Sequence, residues 1–246
     1  MRSPFVAANW KMNGSRALCD AYARTDWPTV EVAVFPPAPF LAGAVPTLRT
    51  AGIAVGAQNV DWRACGALTG EISAGMVREV GVKYALAGHS ERRSLFGETS
   101  AQVAAKCEAI LSTGLTPVLC VGETAPERDA GRAERAVAEQ LQFVLDKAGE
   151  KVFGEGLIAY EPVWAIGVGR AATPGLANDM HGLIRAWIGR ATSIDRQSVK
   201  IIYGGSVNSD NAKELIREPD IDGFLVGGAS LDVQEFARIC RIVRPN

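Results

Sequence analysis

Three side chains in this 246-residue sequence, His89, Glu161 and Lys11, sit in settings that suggest chemistry. His89 lies in Leu86-Ala87-Gly88-His89-Ser90-Glu91-Arg92-Arg93, after an apolar run and at the start of a helical turn. The partial positive charge of a helix N-terminus opposes protonation, so a histidine there stays neutral. It could still donate one N–H to a carbonyl oxygen, acting as an electrophile before it acts as a base. A hydrogen-bonded structural histidine is the alternative. The other histidine, His181, falls mid-helix in Asp179-Met180-His181-Gly182-Leu183 and reads as a surface residue without a role. Glu161 ends an apolar run in Ile158-Ala159-Tyr160-Glu161-Pro162-Val163-Trp164. A carboxylate there is costly unless paired or needed. Either it forms a buried salt bridge, with Arg92 or Arg93 as partner, or burial raises its pKa and makes it a general base. Lys11, in Asn9-Trp10-Lys11-Met12-Asn13, is either an ordinary surface lysine or the cation that an anionic substrate requires.

Three glycine clusters bear on that anion. Gly204-Gly205-Ser206, Gly227-Gly228 and Gly167-Val168-Gly169 each let backbone N–H groups converge on a negative charge. No Arg–Lys cluster accompanies them, which favours one small phosphate over a polyphosphate. Combined, these residues describe one reaction. A carboxylate removes a proton from carbon next to a carbonyl, a neutral histidine and a lysine stabilise the enediolate oxygens, and the proton returns to the neighbouring carbon. That is an aldose–ketose isomerisation of a small phosphorylated sugar, and it needs no metal or cofactor. The five cysteines, Cys19, Cys65, Cys107, Cys120 and Cys240, are widely spaced and include no C-x-x-C. Reduced and mostly buried thiols in a cytoplasmic protein are expected, without metal or disulfides.

Positioning such residues requires a repeating scaffold. Apolar runs that read as strands begin near Phe5, Val30, Ile53, Tyr84, Pro117, Leu157, Val199 and Gly223. Their spacing of about 31 residues matches a β–α unit, and their apolar character throughout fits parallel strands covered on both faces. A helix is predicted over Glu127 to Lys147, where Val137, Leu141, Val144 and Leu145 fall on one face. Thr173-Pro174 reads as a cap followed by a first-turn proline, and Ser15 and Ser230 are candidate caps of the first and last helices. Every unusual polar or glycine cluster falls at a strand's carboxyl end: Asn9 and Lys11, Gln58-Asn59, His89, Glu123, Glu161 and the late glycines. No G-x-G-x-x-G follows the first strand, which weighs against a dinucleotide-binding sheet. In a closed (β/α)8 barrel all those ends share one face, so an α/β fold of one barrel domain over residues 1–246 is expected. The connection from Asn59 to Ile72 is long for such a fold and suggests a task of its own.

Composition narrows the partners. The chain is 48% hydrophobic, with 26 basic and 27 acidic residues and a net charge of −1. Disorder, nucleic-acid binding and a polybasic membrane patch are therefore not expected. No apolar run is long enough to span a membrane, and the N-terminal one is too short for a signal peptide.

Seven segments add a resemblance. Asn9-Trp10-Lys11-Met12-Asn13-Gly14, Gly56-Ala57-Gln58-Asn59, Gly88-His89-Ser90-Glu91-Arg92-Arg93, Cys120-Val121-Gly122-Glu123, Ala159-Tyr160-Glu161-Pro162-Val163-Trp164-Ala165-Ile166-Gly167, Tyr203-Gly204-Gly205-Ser206-Val207 and Gly223-Phe224-Leu225-Val226-Gly227-Gly228-Ala229-Ser230 resemble, in order, the signature segments of the triosephosphate isomerase family. That family is a standard case of a glutamate base working with a neutral histidine beneath a closing loop, so these roles come with the resemblance. It implies a TIM barrel with Glu161 as base, His89 as neutral electrophile and Lys11 as cation. Asn9 would position substrate and Lys11, and Glu91 would support Lys11. The N–H groups of Gly167, Ser206 and Gly228, with Gly227 beside them, would hold the phosphate. The resemblance also implies a lid: Pro162-Val163-Trp164 as first hinge, Ala165 to Gly169 as tip, and Glu123, Tyr160 and Tyr203 as latching partners. Thr69-Gly70-Glu71, with Leu68 beside them, resemble a loop that inserts into a second subunit, so a homodimer is implied. Val168, Arg170-Ala171, Gly175-Leu176 and Leu68 depart from the family's usual residues and bear on lid timing and dimer strength. The same chemistry on a tetrulose phosphate is the alternative substrate. A phosphosugar-binding barrel without catalysis is disfavoured, because Asn9, Lys11, His89 and Glu161 are all present.

Overall fold

The computed structural model describes residues 2–166 and 172–243. Eight strands, β1 (Phe5–Asn9), β2 (Glu31–Phe35), β3 (Ala54–Ala57), β4 (Tyr84–Ala87), β5 (Thr116–Val121), β6 (Leu157–Tyr160), β7 (Lys200–Tyr203) and β8 (Gly223–Val226), pair in chain order and close into a parallel barrel. Closure is made by β1, which pairs with β2 through Phe5–Glu31 and with β8 through Phe5–Gly223. Each strand begins within one residue of the position predicted from the apolar runs.

Successive side chains of a strand point to opposite faces, so a buried strand feeds two cores. Phe5 and Ala7 of β1, Tyr84 and Leu86 of β4, and Val118 and Cys120 of β5 fill the barrel interior. Val6, Ala8, Ala85, Ala87, Leu119 and Val121, from the same strands, pack outward against the helices. Strands serving two cores have no polar face, which is why they read as continuous apolar runs.

The helices that cover the barrel are α1 (Arg16–Ala23), α2 (Leu41–Arg49), α3 (Ala74–Val80), α4 (Ser90–Phe96), α5 (Ser100–Ser112), α6 (Ala125–Asp129), α7 (Ala133–Ala148), α8 (Lys151–Glu155), α9 (Pro174–Ala191), α10 (Ala212–Leu215) and α11 (Val233–Val243). Ser15 caps α1 by accepting the Leu18 N–H, and Thr173 caps α9 by accepting that of Leu176, with Pro174 in the first turn. Three expectations are corrected. The helix predicted over Glu127 to Lys147 is two, α6 and α7, broken where Gly131 turns with φ +68°. Ser230 does not cap the last helix; Asp232 accepts the Gln234 and Glu235 N–H groups there, while the Ser230 hydroxyl turns back to Gly227 O. His181 is fully buried, not on the surface, because α9 lays it against β6 and β7.

Cys19, Cys107, Cys120 and Cys240 are buried free thiols, and Cys65 is an exposed one. Among the described residues, no helix is long and apolar enough to cross a membrane.

Candidate active site

The carboxyl ends of the strands enclose a cavity of about 360 Å³ lined by Asn9, Lys11, His89, Glu161, Ser206, Gly227 and Gly228, with Ile166, Asn208 and Leu225 among the other walls. Residues far apart in sequence meet there because every strand of a parallel barrel ends on one rim.

Lys11 lies two residues beyond the end of β1 and has φ +49°, the left-handed region that a β-carbon disfavours. Neighbouring groups hold it. The Asn9 Oδ1 accepts the Lys11 N–H at 3.0 Å. The Gln58 amide donates to both Lys11 O and Phe35 O, at 2.9 and 2.8 Å. Its ammonium lies 2.5 Å from Glu91 Oε1, with both side chains partly exposed to the cavity mouth.

His89 is the N-cap residue of α4, and its Nδ1 accepts the Glu91 N–H at 3.3 Å. Nδ1 therefore carries no proton, and the ring proton sits on Nε2, 3.0 Å from Glu161 Oε1. The other carboxylate oxygen of Glu161 accepts the Ser90 N–H at 2.7 Å. Ser90 sits within the motif singled out by sequence, but its part was missed. The usable signal is positional: the first N–H groups of any helix have no partner of their own.

This arrangement corrects three expectations about charge. Arg92 pairs with Glu98, and Arg93 donates to Gly88 O and Cys120 O, so neither forms the ion pair envisaged for Glu161. Burial of Glu161 works to raise its pKa. The His89 ring, the Ser90 N–H and the Lys11 charge outweigh it and hold the carboxyl below its ordinary range. Burial likewise works to lower His89, but the Glu161 carboxylate, with Glu91 behind it, raises its affinity for a second proton. Each partner overrides the burial effect on the other, and sequence could not place them 3.0 Å apart. The contact therefore favours an ionised Glu161 and a proton on His89 Nε2.

Two glycines make room for the carboxylate. A β-carbon on Gly122 would lie 1.8 Å from Glu161 O, and one on Gly204 would lie 2.9 Å from Glu161 Cγ. Bare backbone at both neighbours lets β6 deliver Glu161 into the cavity wall.

The flanks of the segment after Glu161 are held from below. Glu123, fully buried, accepts the Tyr160 hydroxyl at 3.1 Å, the Trp164 indole N–H at 2.7 Å and an Arg128 N–H at 3.2 Å. The Arg128 guanidinium covers the Trp164 ring at 4.5 Å. The Ser206 hydroxyl donates to Ala165 O at 3.1 Å, and Tyr203 Oη accepts the Ala172 N–H at 3.3 Å. The predicted lid and phosphate residues Gly167, Val168, Gly169, Arg170 and Ala171 lie outside the described residues. Of the long loop after β3, Leu68 is half-buried, whereas Thr69, Gly70 and Glu71 are exposed. Met12, Leu95 and Phe96 are exposed apolar side chains adjoining Lys11 and helix α4.

A carboxylate, an imidazole and an ammonium line one cavity together with glycine turns. The family model for triosephosphate isomerase matches residues 4–243. The chain belongs to the triosephosphate isomerase family. It is therefore an enzyme, an isomerase. Among curated relatives, the triosephosphate isomerase of Pseudomonas entomophila (strain L48) is 48% identical over 247 residues, covering 98% of each chain. That of Halorhodospira halophila is 49% identical over 243 residues, covering 97% of each. That of Shewanella frigidimarina is 42% identical over 254 residues, covering 98% of each.

Proposed function

We propose that the chain interconverts dihydroxyacetone phosphate and D-glyceraldehyde 3-phosphate through an enediolate, with no cofactor. The supporting observation is the buried Glu161 carboxylate, 3.0 Å from His89 Nε2 and facing Lys11 and the Gly227-Gly228 turn across one cavity. Glu161 leaves the Ser90 N–H and takes a proton from the carbon next to the substrate carbonyl. The electron pair moves onto the carbonyl oxygen, where the His89 Nε2–H and the Lys11 ammonium stabilise the developing charge. The hydroxyl proton of the neighbouring carbon passes to the former carbonyl oxygen, relayed by the His89 Nε2–H. Glu161 meanwhile returns the carbon-bound proton to that neighbouring carbon; together these complete the isomerisation and restore both the carboxylate and the imidazole. Asn9 positions the substrate oxygen and Lys11, and Glu91 holds Lys11 in the resting site. The N–H groups of Ser206 and Gly228, beside Gly227, bind the phosphate together with Gly167. Closure of the segment hinged at Pro162-Val163-Trp164 and latched by Glu123, Tyr160 and Tyr203 excludes water, which suppresses phosphate elimination from the enediolate.

We read residues 1–246 as one domain acting in the cytoplasm, in glycolysis and gluconeogenesis. We read the assembly as a homodimer. Exposed Met12, Leu95 and Phe96 beside the site give the 68–71 loop of a second copy an apolar surface to cover. A coupled isomerase assay on triose and tetrulose phosphates, run across protein concentration, tests both points. Triose preference and loss of activity on dilution are expected. A hundredfold preference for tetrulose phosphate overturns the substrate, and activity independent of dilution in a monomer overturns the dimer.

A further inference from the structure

We propose that Tyr22, on helix α1 outside the cavity, is a positioning residue that fixes the phosphate-binding turn after β8 and sets it against Lys11. The proposal rests on the reading of Gly227-Gly228 as the phosphate turn.

The Tyr22 side chain is fully buried, and its hydroxyl donates to Ser230 O at 2.5 Å. Ser230 is itself fully buried and is tied to the turn twice: its N–H and its hydroxyl both donate to Gly227 O, at 2.9 and 2.6 Å. Gly227 and Ser230 therefore move as one unit, with Gly228 and Ala229 between them on the cavity wall. A buried carbonyl deprived of its donor must be left unpaired, admit water or shift. For Ser230 O, the last two displace the glycine N–H groups that face the anion. Burial raises the Tyr22 phenol far above its ordinary range, so the donor proton is present at every working pH.

The same ring reaches the other wall. Trp10, the residue before Lys11, packs edge-on against Tyr22, with ring centroids 5.3 Å apart and planes at 68°. Its indole N–H is buried without a hydrogen bond of normal geometry and lies beside the Tyr22 hydroxyl. A β-carbon on Gly227 would come within 3.3 Å of Lys11 Cε, so the turn and the lysine stem already lie side by side. Tyr22 is thus wedged between the segment that carries the ammonium and the turn that carries the amides. Trp27 and Phe236 complete its packing at 5.1 and 5.6 Å, and neither makes a hydrogen bond to the turn.

The test is Tyr22→Phe, which keeps the ring and removes the hydroxyl, with Phe236→Leu as a packing control in the same cluster. kcat and KM are measured for triose phosphate, the competitive inhibition constant for inorganic phosphate, and Tm for each protein. KM and the phosphate constant are expected to rise together about tenfold in Tyr22→Phe with kcat within twofold, while Phe236→Leu lowers Tm and leaves both constants within twofold. A Tyr22→Phe enzyme with both constants within twofold of the parent overturns the proposal, as does an equal rise in Phe236→Leu. A parent enzyme that phosphate does not inhibit overturns the phosphate-turn reading, and the Tyr22 proposal falls with it.

Discussion

At the amino ends of the strands, Arg185, Asp222 and Glu31 are held in a network of partners. At the carboxyl ends, Lys11, His89 and Glu161 line a cavity. Arg185 on α9 is buried and makes five hydrogen bonds, to Asp220 Oδ1, Asp222 Oδ2 and the carbonyls of Arg196, Val199 and Asp220. Asp222 also accepts from Arg2 and from the Ile201 N–H. Glu31, where burial alone would raise the pKa, is held down to about 2 by the Tyr84 hydroxyl and the ammonium groups of Lys200 and Lys83. On the opposite rim, Lys11 has one carboxylate partner, and Glu161 has one histidine. The same strands thus end in a saturated network below and an unsaturated one above. Saturation fixes the barrel; unsaturation leaves hydrogen-bonding capacity for a substrate, at some cost in stability.

Substitution can break that contrast. Glu161→Ala is expected to lower kcat by roughly three orders of magnitude with Tm unchanged or raised, because it removes a proton-transfer group and a buried charge together. A loss below tenfold in a steady-state assay removes Glu161 as the base. Because Glu161 is held low and His89 is held high, the loss of activity as pH falls should follow the second proton on His89 and precede protonation of Glu161. Asp222→Ala should do the converse. It breaks a buried ion pair and should cost about 3–5 kcal/mol in denaturant unfolding, with kcat within twofold. If kcat falls a hundredfold while stability holds, the two rims do not divide the work as described.

His181 sharpens the comparison through pH. Burial is the largest influence on it and pushes its pKa down to about 4, so the folded protein holds it neutral. The unfolded chain takes up that proton near pH 6.5, so this part of the stability is complete above pH 6.5. It is lost as pH falls towards 4, by up to about 3 kcal/mol. Unfolding of His181→Gln across that window should show a flatter slope; an unchanged slope assigns the acid sensitivity elsewhere. The smallest effect is expected for Glu91→Gln. Its pair with Lys11 is partly exposed, so KM should change about threefold or less, and a larger change would give Glu91 a direct role.

Much of this arrangement is legible in the chain itself, for a local reason. Strand starts, the caps at Ser15 and Thr173, and the clusters after each strand depend on residues close in sequence. The parallel β–α repeat then maps those clusters onto one rim. Gln58 and Ser90 stood inside recognised segments, yet their tasks were hidden, since an amide or an N–H acquires a task only when a distant partner arrives. His181 was misread because a mid-helix polar residue looks alike whether its face meets water or β6 and β7.

The sequence by itself determined eight apolar strands, the order of the chemical groups at their ends and the glycines that keep the cavity open. Those are matters of residue type and period. Tertiary structure alone decided the protonation partners: Glu161 against His89, Arg185 between two aspartates, and Tyr22 beneath the Ser230 carbonyl. The physical reason is range. Strand propensity acts over a few residues, whereas a pKa or a buried hydrogen bond answers to whatever lies within a few ångströms. In a closed barrel those neighbours come from as far as 220 positions along the chain.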